Sequence, residues 1–532
     1  MKDTTTRVNI LALCCLFFAL GAVLVPLAGI QNDEALFANP IYQNLFEFRV
    51  RAFHHSIPLM VISYIGTLKT GLYWILFHIV RPSVWSLRLP MVLLGSVTIF
   101  LFYLLADKVS SKHVAFAGAA LLATDQTFLL TNTFDWGPVA IEHFLLVTAC
   151  LLAVSFSASG RNAHLVGAFF ALGLGLWNKA IFLWALTGLL VASATVLWPE
   201  IRKLLTLRAA TLATVGFLVG TSPFLIYNLK RPNATLSQNA RLEVPDWNAK
   251  FIQVQSALDG RSLFGYLMNE DDAPKPKMLN SGLGKIAAAI HQKIGERRGG
   301  IMAYVAAACL LLLPLWWRSR VAWFSLIFSA ATWLMMAITR DAGGSAHHTV
   351  LLWPFPHLFV ATVVSALPWR PIRGLILSAV VASNLLVFNE SLYKFERNGA
   401  ALVFTDAIQA LSDRVGVLRP PMVYVTDWGI WNTLAMLHEA KLSMTGVDDL
   451  FPEQADPNRE RDAMRARVFA NREAIYIGHV DGQEVFPGIR GRVERAAMDA
   501  GRSKRVIEVI SDTNGRPVFE IFQLVPNSPG LP

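Results

Sequence analysis

Residues 57–80 read IPLMVISYIGTLKTGLYWILFHIV. The number of membrane crossings turns on this stretch. It is apolar over a length that can span a bilayer, which takes roughly 20 residues. It also contains Pro58, Gly66, Lys69, Gly71 and His78. A lysine at the bilayer centre costs roughly 2.5–3.5 kcal/mol on insertion scales. Counting the stretch as a span would also move every later basic loop to the other face. It therefore reads as helices lying along the outer membrane surface.

Outward from this segment, eleven apolar runs are long enough to be read as spans: 8–30, 89–106, 114–131, 139–157, 164–177, 180–198, 209–227, 300–316, 321–338, 350–367 and 373–389. With the N-terminus inside, the inside loops carry Lys108 and Lys112, then Arg161, then Arg202, Lys203 and Arg208, then Arg318 and Arg320, then Arg370 and Arg373. Only Asp107 and Glu200 oppose them. That asymmetry is the positive-inside pattern, and it sets orientation.

Composition agrees. Of 532 residues 54% are hydrophobic and 16% charged, against about 25% charged in a soluble chain. The net charge of +10 is explained by the inside loops, so no nucleic-acid partner is expected. The four cysteines, Cys14, Cys15, Cys150 and Cys309, all lie in apolar runs. There a free thiol is a small hydrophobe, and no disulfide framework or zinc motif is written. Lys2 and Arg7 precede the first apolar run, which reads as a retained span.

The expected fold class is mainly α: a polytopic helical membrane domain over 1–390, followed by a small exoplasmic α/β domain over 391–532. In the latter, Met422 to Thr426, Ala474 to Gly478, Arg505 to Ile510 and Pro517 to Leu524 read as strands. The last two flank Asn514-Gly515, a hairpin turn signal. Thr405 to Val415 and Ile489 to Ala500 read as helices.

This topology sorts the polar residues by side. Asp33 and Glu34 follow the first span, and Asp135 lies in the short loop after the third. Lys179 lies in the turn after the fifth. Arg340, Asp341, His347 and His348 precede the tenth. All fall outside, at the membrane surface. Carboxylates from separate helices suit proton abstraction, and nearby cations stabilise charge on a departing phosphate. Each residue also has a plain structural use. Asp33, Glu34 and Asp135 could cap helices, and Lys179 could snorkel from a helix end. Arg88 could anchor the helix that follows it. The histidine pair could pack in a loop. Glu142 and His143 lie one turn into the fourth span and could reach the interface. Asn233-Ala234-Thr235 matches a glycosylation acceptor, a pattern that arises often by chance.

Several stretches together carry a family resemblance. They are NDEALFANPIY (32–42), YIGTLKTGLYWILF (64–77), SLRLPMVLLGSVTIFLFYLLADK (86–108) and LLATDQTFLLTNTFDWGP (121–138), with GLWNKAIFLW (175–184) and AHHTVLLWPFPHLF (346–359) more loosely. In this order, over about residues 1–390, the chain resembles the family 39-like glycosyltransferases. These include the protein O-mannosyltransferases and the aminoarabinose–lipid A transferases, which share the GT-C membrane fold. The resemblance implies transfer of a hexosyl or pentosyl group from a polyprenyl-phosphate-linked sugar to a hydroxyl of a lipid, glycan or protein acceptor, with inversion. It implies that Asp33 is the general base and that Glu34 and Asp135 orient substrates or tune the base. Lys179, Arg340, His347 and His348 would face the donor phosphate. No cofactor is expected, although a divalent metal would be compatible with the fold. The expected setting is the bacterial inner membrane, with membrane lipid around the spans and the active site on the periplasmic side. The rival readings are a transporter or flippase of lipid-linked sugar and a non-catalytic receptor. The first would carry inverted repeats and broken helices near midplane. The second would not need Asp33 and Asp135 on one side.

Overall fold

Lipid offers the backbone no hydrogen-bond partner, so apolar runs of this length must be helical. In the computed structural model, which describes residues 2–52, 55–232, 234–239, 241–271, 273–340, 345–454 and 458–527, every one of the eleven runs is helical. Among the described residues six helices are long and apolar enough to cross a membrane: Val8–Leu27, Val84–Val109, Val139–Ser159, Leu207–Lys230, Arg320–Ile338 and Arg370–Asn398. The number rises to nine if each of three bent helix pairs is one span. The runs at 164–177 and 300–316 correspond to the shorter helices Asn162–Asn178 and Met302–Leu311. Outward faces stay apolar, as at Leu207, Val215, Leu218, Val219 and Leu229, all exposed. Helices Asn162–Asn178 and Leu207–Lys230 approach closely through glycine: a Cβ on Gly220 would lie 2.3 Å from Phe170 O. Small residues permit that approach where apolar burial cannot drive association.

The bends have local causes. Lys112–Ala123 and Gln126–Thr133 meet at 58°. Between them Asp125 caps the second helix by accepting the Phe128 N–H at 2.7 Å. Its other oxygen meets His357 Nε2 at 3.0 Å. The restart thus has its own capping group and a neighbour from the helix Phe355–Ala366.

Half of the deciding segment corrects the expectation. Residues 57–66 are not helical. They form strand β2 (His55–Ile62), which pairs antiparallel with β1 (Phe48–Ala52) and with β3 (Ile65–Gly66). Pro58 and the β-branched Ile57, Val61 and Ile62 disfavour helix, and an upstream strand is present to pair with them. Only Leu68–Phe77 is helical. It is amphipathic, with Lys69, Thr70 and Tyr73 buried and Leu72, Trp74 and Ile75 exposed.

The C-terminal part forms a five-stranded sheet in the order β5-β4-β6-β8-β7. The strands are β4 (Val423–Val425), β5 (Met444–Gly446), β6 (Ile475–His479), β7 (Arg502–Ser511) and β8 (Pro517–Pro526). β5, β4 and β6 are parallel, while β6, β8 and β7 are antiparallel. Gly515, with φ of +76°, turns the last hairpin. One apolar cluster packs Ala407–Leu418 and Trp431–Leu437 on one face. Another packs Arg459–Ala470 and Ile489–Asp499 on the other. β5 and the helices Trp431–Leu437 and Arg459–Ala470 carry no clear signal in the sequence. The helix Arg370–Asn398 runs well past the expected end of its span at residue 389.

Candidate active site

The loops expected on one side of the bilayer do meet. The first α-helix ends at Leu24, and the chain passes through a single 3-10 turn, Val25–Leu27, into the short helix Asn32–Leu36. Gln31 starts that helix. Its side-chain oxygen accepts the N–H groups of Asp33 (2.5 Å) and Glu34 (3.2 Å), and Glu34 Oε2 accepts the Gln31 N–H at 3.0 Å. This reciprocal box satisfies the first donors of the helix.

The acidic pair then divides in role. Glu34 is buried and gripped by Arg88, with Nε to Oε1 at 2.8 Å and Nη2 to Oε2 at 2.7 Å. The same guanidinium donates to Val25 O (2.7 Å), Ala28 O (2.8 Å) and Gly29 O (2.7 Å). A buried fork of this geometry is a strong, oriented contact. Arg88 therefore does more than anchor a helix end: it ties the start of the second long helix to the acidic turn. Both Glu34 oxygens are occupied.

Asp135 is likewise engaged. Its Oδ1 accepts the N–H groups of Val139 (2.8 Å) and Ala140 (3.3 Å), capping the helix Val139–Ser159. Its Oδ2 meets Lys69 Nζ at 2.8 Å, and that ammonium also donates to Asp135 O at 2.5 Å. Lys69 is buried over the Phe37 ring, 4.3 Å from its centroid. Lys69 is not among the site residues expected from the sequence. Its signal was there all the same, since a lysine in an apolar run needs a partner.

Asp33 differs from both. It is half-buried, and its carboxylate has one long side-chain contact, Asn32 Nδ2 to Oδ1 at 3.5 Å. Burial pushes its carboxyl up from the ordinary value, against the hydrogen bonds of Asn32 and Gln31 and the charge of Lys179. Tyr64 and Tyr266 feel its charge, and Tyr266, pushed up to about 12 mainly by burial, packs on Trp136 with centroids 5.6 Å apart. Neither tyrosine stands out in the sequence.

Lys179 and the histidine pair lie near the carboxylates. Lys179 is buried in the turn after Asn162–Asn178, with Nζ donating to Gly137 O at 3.1 Å. Burial lowers its pKa, and Glu142, Asp135 and Asp33 oppose that shift. His347 Nδ1 accepts from Trp136 Nε1 at 2.9 Å and lies 2.6 Å from Ser345 Oγ. His348 stacks edge-on to Trp184 and lies beside His347, their ring centroids 4.1 Å apart. Glu142 is fully buried and neither of its oxygens has a hydrogen-bond partner, while His143 Nε2 meets Val350 O at 2.7 Å. Arg340 is exposed in the turn after Arg320–Ile338, its backbone N–H bonded to Arg241 O. Asp341 and Asn233 lie outside the described residues. Among the described residues no group of three or more His, Cys, Asp or Glu side chains converges as a metal site.

This arrangement offers one half-buried carboxylate within the field of a buried ammonium, Lys179, on a frame of ion pairs. Residues 71–227 match the family model described as dolichyl-phosphate-mannose-protein mannosyltransferase. No curated protein matches the chain. Among solved structures, ArnT from Cupriavidus metallidurans bound to undecaprenyl phosphate is similar at 13% identity and a TM-score of 0.59, covering 98% of each chain. The apo form of that protein is similar at 13% identity and a TM-score of 0.56, with the same coverage. The oligosaccharyltransferase of Archaeoglobus fulgidus matches at 13% identity with a TM-score of 0.48, over 98% of this chain and 75% of that one. Over nearly its whole length the chain has the GT-C fold that it shares with ArnT, and residues 71–227 are the part that matches the mannosyltransferase model.

Proposed function

We propose that the protein is an inverting glycosyltransferase that moves a sugar from a polyprenyl-phosphate donor to an acceptor hydroxyl on the exoplasmic face of the membrane. The observation that carries this reading is the division among the acidic residues. Glu34 and Asp135 are saturated by Arg88 and Lys69, and Asp33 is left as the accessible carboxylate. Asp33 takes the proton of the acceptor hydroxyl as its oxygen attacks the anomeric carbon. The bond from that carbon to the phosphate oxygen breaks, and the electron pair leaves with the polyprenyl phosphate. Lys179, with His347 and His348 beside it, and Lys69 favour the charge that develops there. Asp135 holds Lys69, and Glu34 holds the turn that aims Asp33. Arg340, exposed on the outer loop, has no assigned step.

Residues 1–390 are read as the catalytic membrane domain and 391–532 as an outer α/β domain. The setting is the inner membrane of a bacterium. The test is incubation of the purified protein with labelled polyprenyl-phosphate sugars and membrane extract, followed by identification of the labelled product. Labelled product should form with wild type and not with Asp33→Asn. Movement of intact lipid-linked sugar across vesicles, with no new glycosidic product, would overturn the reading in favour of a transporter.

A further inference from the structure

The acidic turn is held by more than the membrane helices. Trp431–Leu437, the helix that follows β4, packs directly on Asn32–Leu36 and on the next short helix, Asn39–Gln43. Asn432 sits at this junction, almost fully buried. Its Oδ1 accepts Asn39 Nδ2 at 2.8 Å, and its backbone N–H reaches Asn32 Oδ1 at 3.4 Å. Asn432 thus bridges the helix that carries Asp33 and the helix after it. Asn32 in turn supplies the side-chain contact to Asp33. Met436 belongs to the apolar cluster of Ile30, Ala35, Phe37 and Ala38. Upstream, the Gly29 N–H donates to Phe404 O at 2.7 Å, and a Cβ on Gly29 would lie 2.0 Å from Thr405 O.

We propose that Asn432, contributed by the C-terminal unit, is a positioning residue for the turn that presents Asp33. The inference rests on the reading of Asp33 as the base. Its physical content is a buried residue whose carboxamide holds Asn39 and whose backbone N–H reaches Asn32, so that two short helices stay in register. Five-residue helices are far too short to hold themselves, so their geometry is set by what they pack against. Removing the Asn432 carboxamide leaves Asn39, only 1% exposed, with neither polar side-chain atom bonded, since its Oδ1 already lacks a partner. Thr433, one residue on, also reaches this region, with Oγ1 donating to Ile30 O at 3.3 Å. That contact lies outside the bridge between the two helices, so Thr433 serves as the comparison site.

The experiment uses the full-length protein in detergent and the variants Asn432→Ala, Asn432→Asp and Thr433→Val. Hydrogen exchange is followed by mass spectrometry in peptides covering 31–44 and, separately, β4, β6 and β8. Asn432→Ala should speed exchange in 31–44 by at least about fivefold, the lower end of what one orphaned buried amide costs. The strands should stay protected. Asn432→Asp keeps an acceptor for Asn39 and should restore most of the protection, and Thr433→Val should change little. Binding of undecaprenyl phosphate should be unchanged in all three. In the sugar-transfer assay Asn432→Ala should lower kcat at unchanged donor KM. Unchanged exchange at 31–44, loosening of the entire sheet, or full turnover in a loosened Asn432→Ala would each overturn the proposal. Loosened exchange in Asn432→Ala together with normal transfer by Asp33→Asn would instead leave the clamp standing and remove the base assignment.

Discussion

Replacing Arg88 with methionine tests whether the acidic turn is held by charge. Arg88 is 1% exposed and makes two bonds to Glu34 and three to the carbonyls of Val25, Ala28 and Gly29. Methionine fills most of the volume and supplies none of these donors. Glu34 would remain buried with the Gln31 N–H as its surviving partner. Removing one member of a buried pair costs about 3–5 kcal/mol, mostly through the charge left behind. The orphaned carbonyls add to that where water cannot reach them. Glu34→Gln removes the charge but keeps one acceptor oxygen for Arg88, so it should cost less, on the order of 1–2 kcal/mol. The double variant should then be more stable than Arg88→Met alone, because no buried carboxylate is left unpaired. The assay is thermal unfolding in one detergent at one pH, followed by tryptophan fluorescence, for wild type, both single variants and the double variant. Arg88→Met should lower Tm by several degrees, and the cycle should show favourable coupling. An unchanged Tm in Arg88→Met, or strict additivity in the double variant, would refute the argument that this ion pair fixes the turn.

Other outcomes follow from the same geometry. Asp33→Asn should fold and bind donor yet lose about 10²–10⁴-fold in transfer, the range for a general base, as measured by product formation and donor binding on one preparation. Burial raises the Asp33 carboxyl, and the base acts only when ionised. The acid limb of the kcat–pH profile should therefore lie above the ordinary aspartate range, with turnover lost as pH falls through it, and Asp33→Glu should move that limb. Lys69→Met should lower both Tm and transfer, because it strands buried Asp135 as well as removing a cation. Lys179→Met, whose ammonium donates among the described residues to Gly137 O, should lower transfer about 10²–10³-fold with a smaller change in Tm. A reporter fused after Val109 should be cytoplasmic and one at the C-terminus exoplasmic, and matching sides would break the topology.

Much of this was legible along the chain. Long apolar runs force helices in lipid whatever surrounds them, so the eleven helical segments could be placed from local sequence. The basic loops then put Asp33, Asp135, Lys179 and His347 at one end. The Arg320–Glu200 ion pair, which joins two of the loops expected on the opposite side, fits the same parity. The segment 57–66 departs from the helical expectation because an apolar run with a proline is equally a strand once another strand lies beside it, and β1 is a weakly marked stretch, FRVRA. β5, three residues long, has too little pattern of its own to be found.

The sequence by itself determined which segments are apolar and helical, and it set the expectation that the polar residues share one end. Those properties depend on solvation and on counting crossings, and both are local or additive. Only the tertiary structure decided how the three carboxylates differ. Lys69 lies 66 residues from Asp135, Arg88 lies 54 from Glu34, and Asn432 lies 393 from Asn39. Whether a carboxylate is free or saturated depends on which distant donor is folded against it. That donor is chosen by packing across the whole chain, and no window of neighbouring residues contains the information.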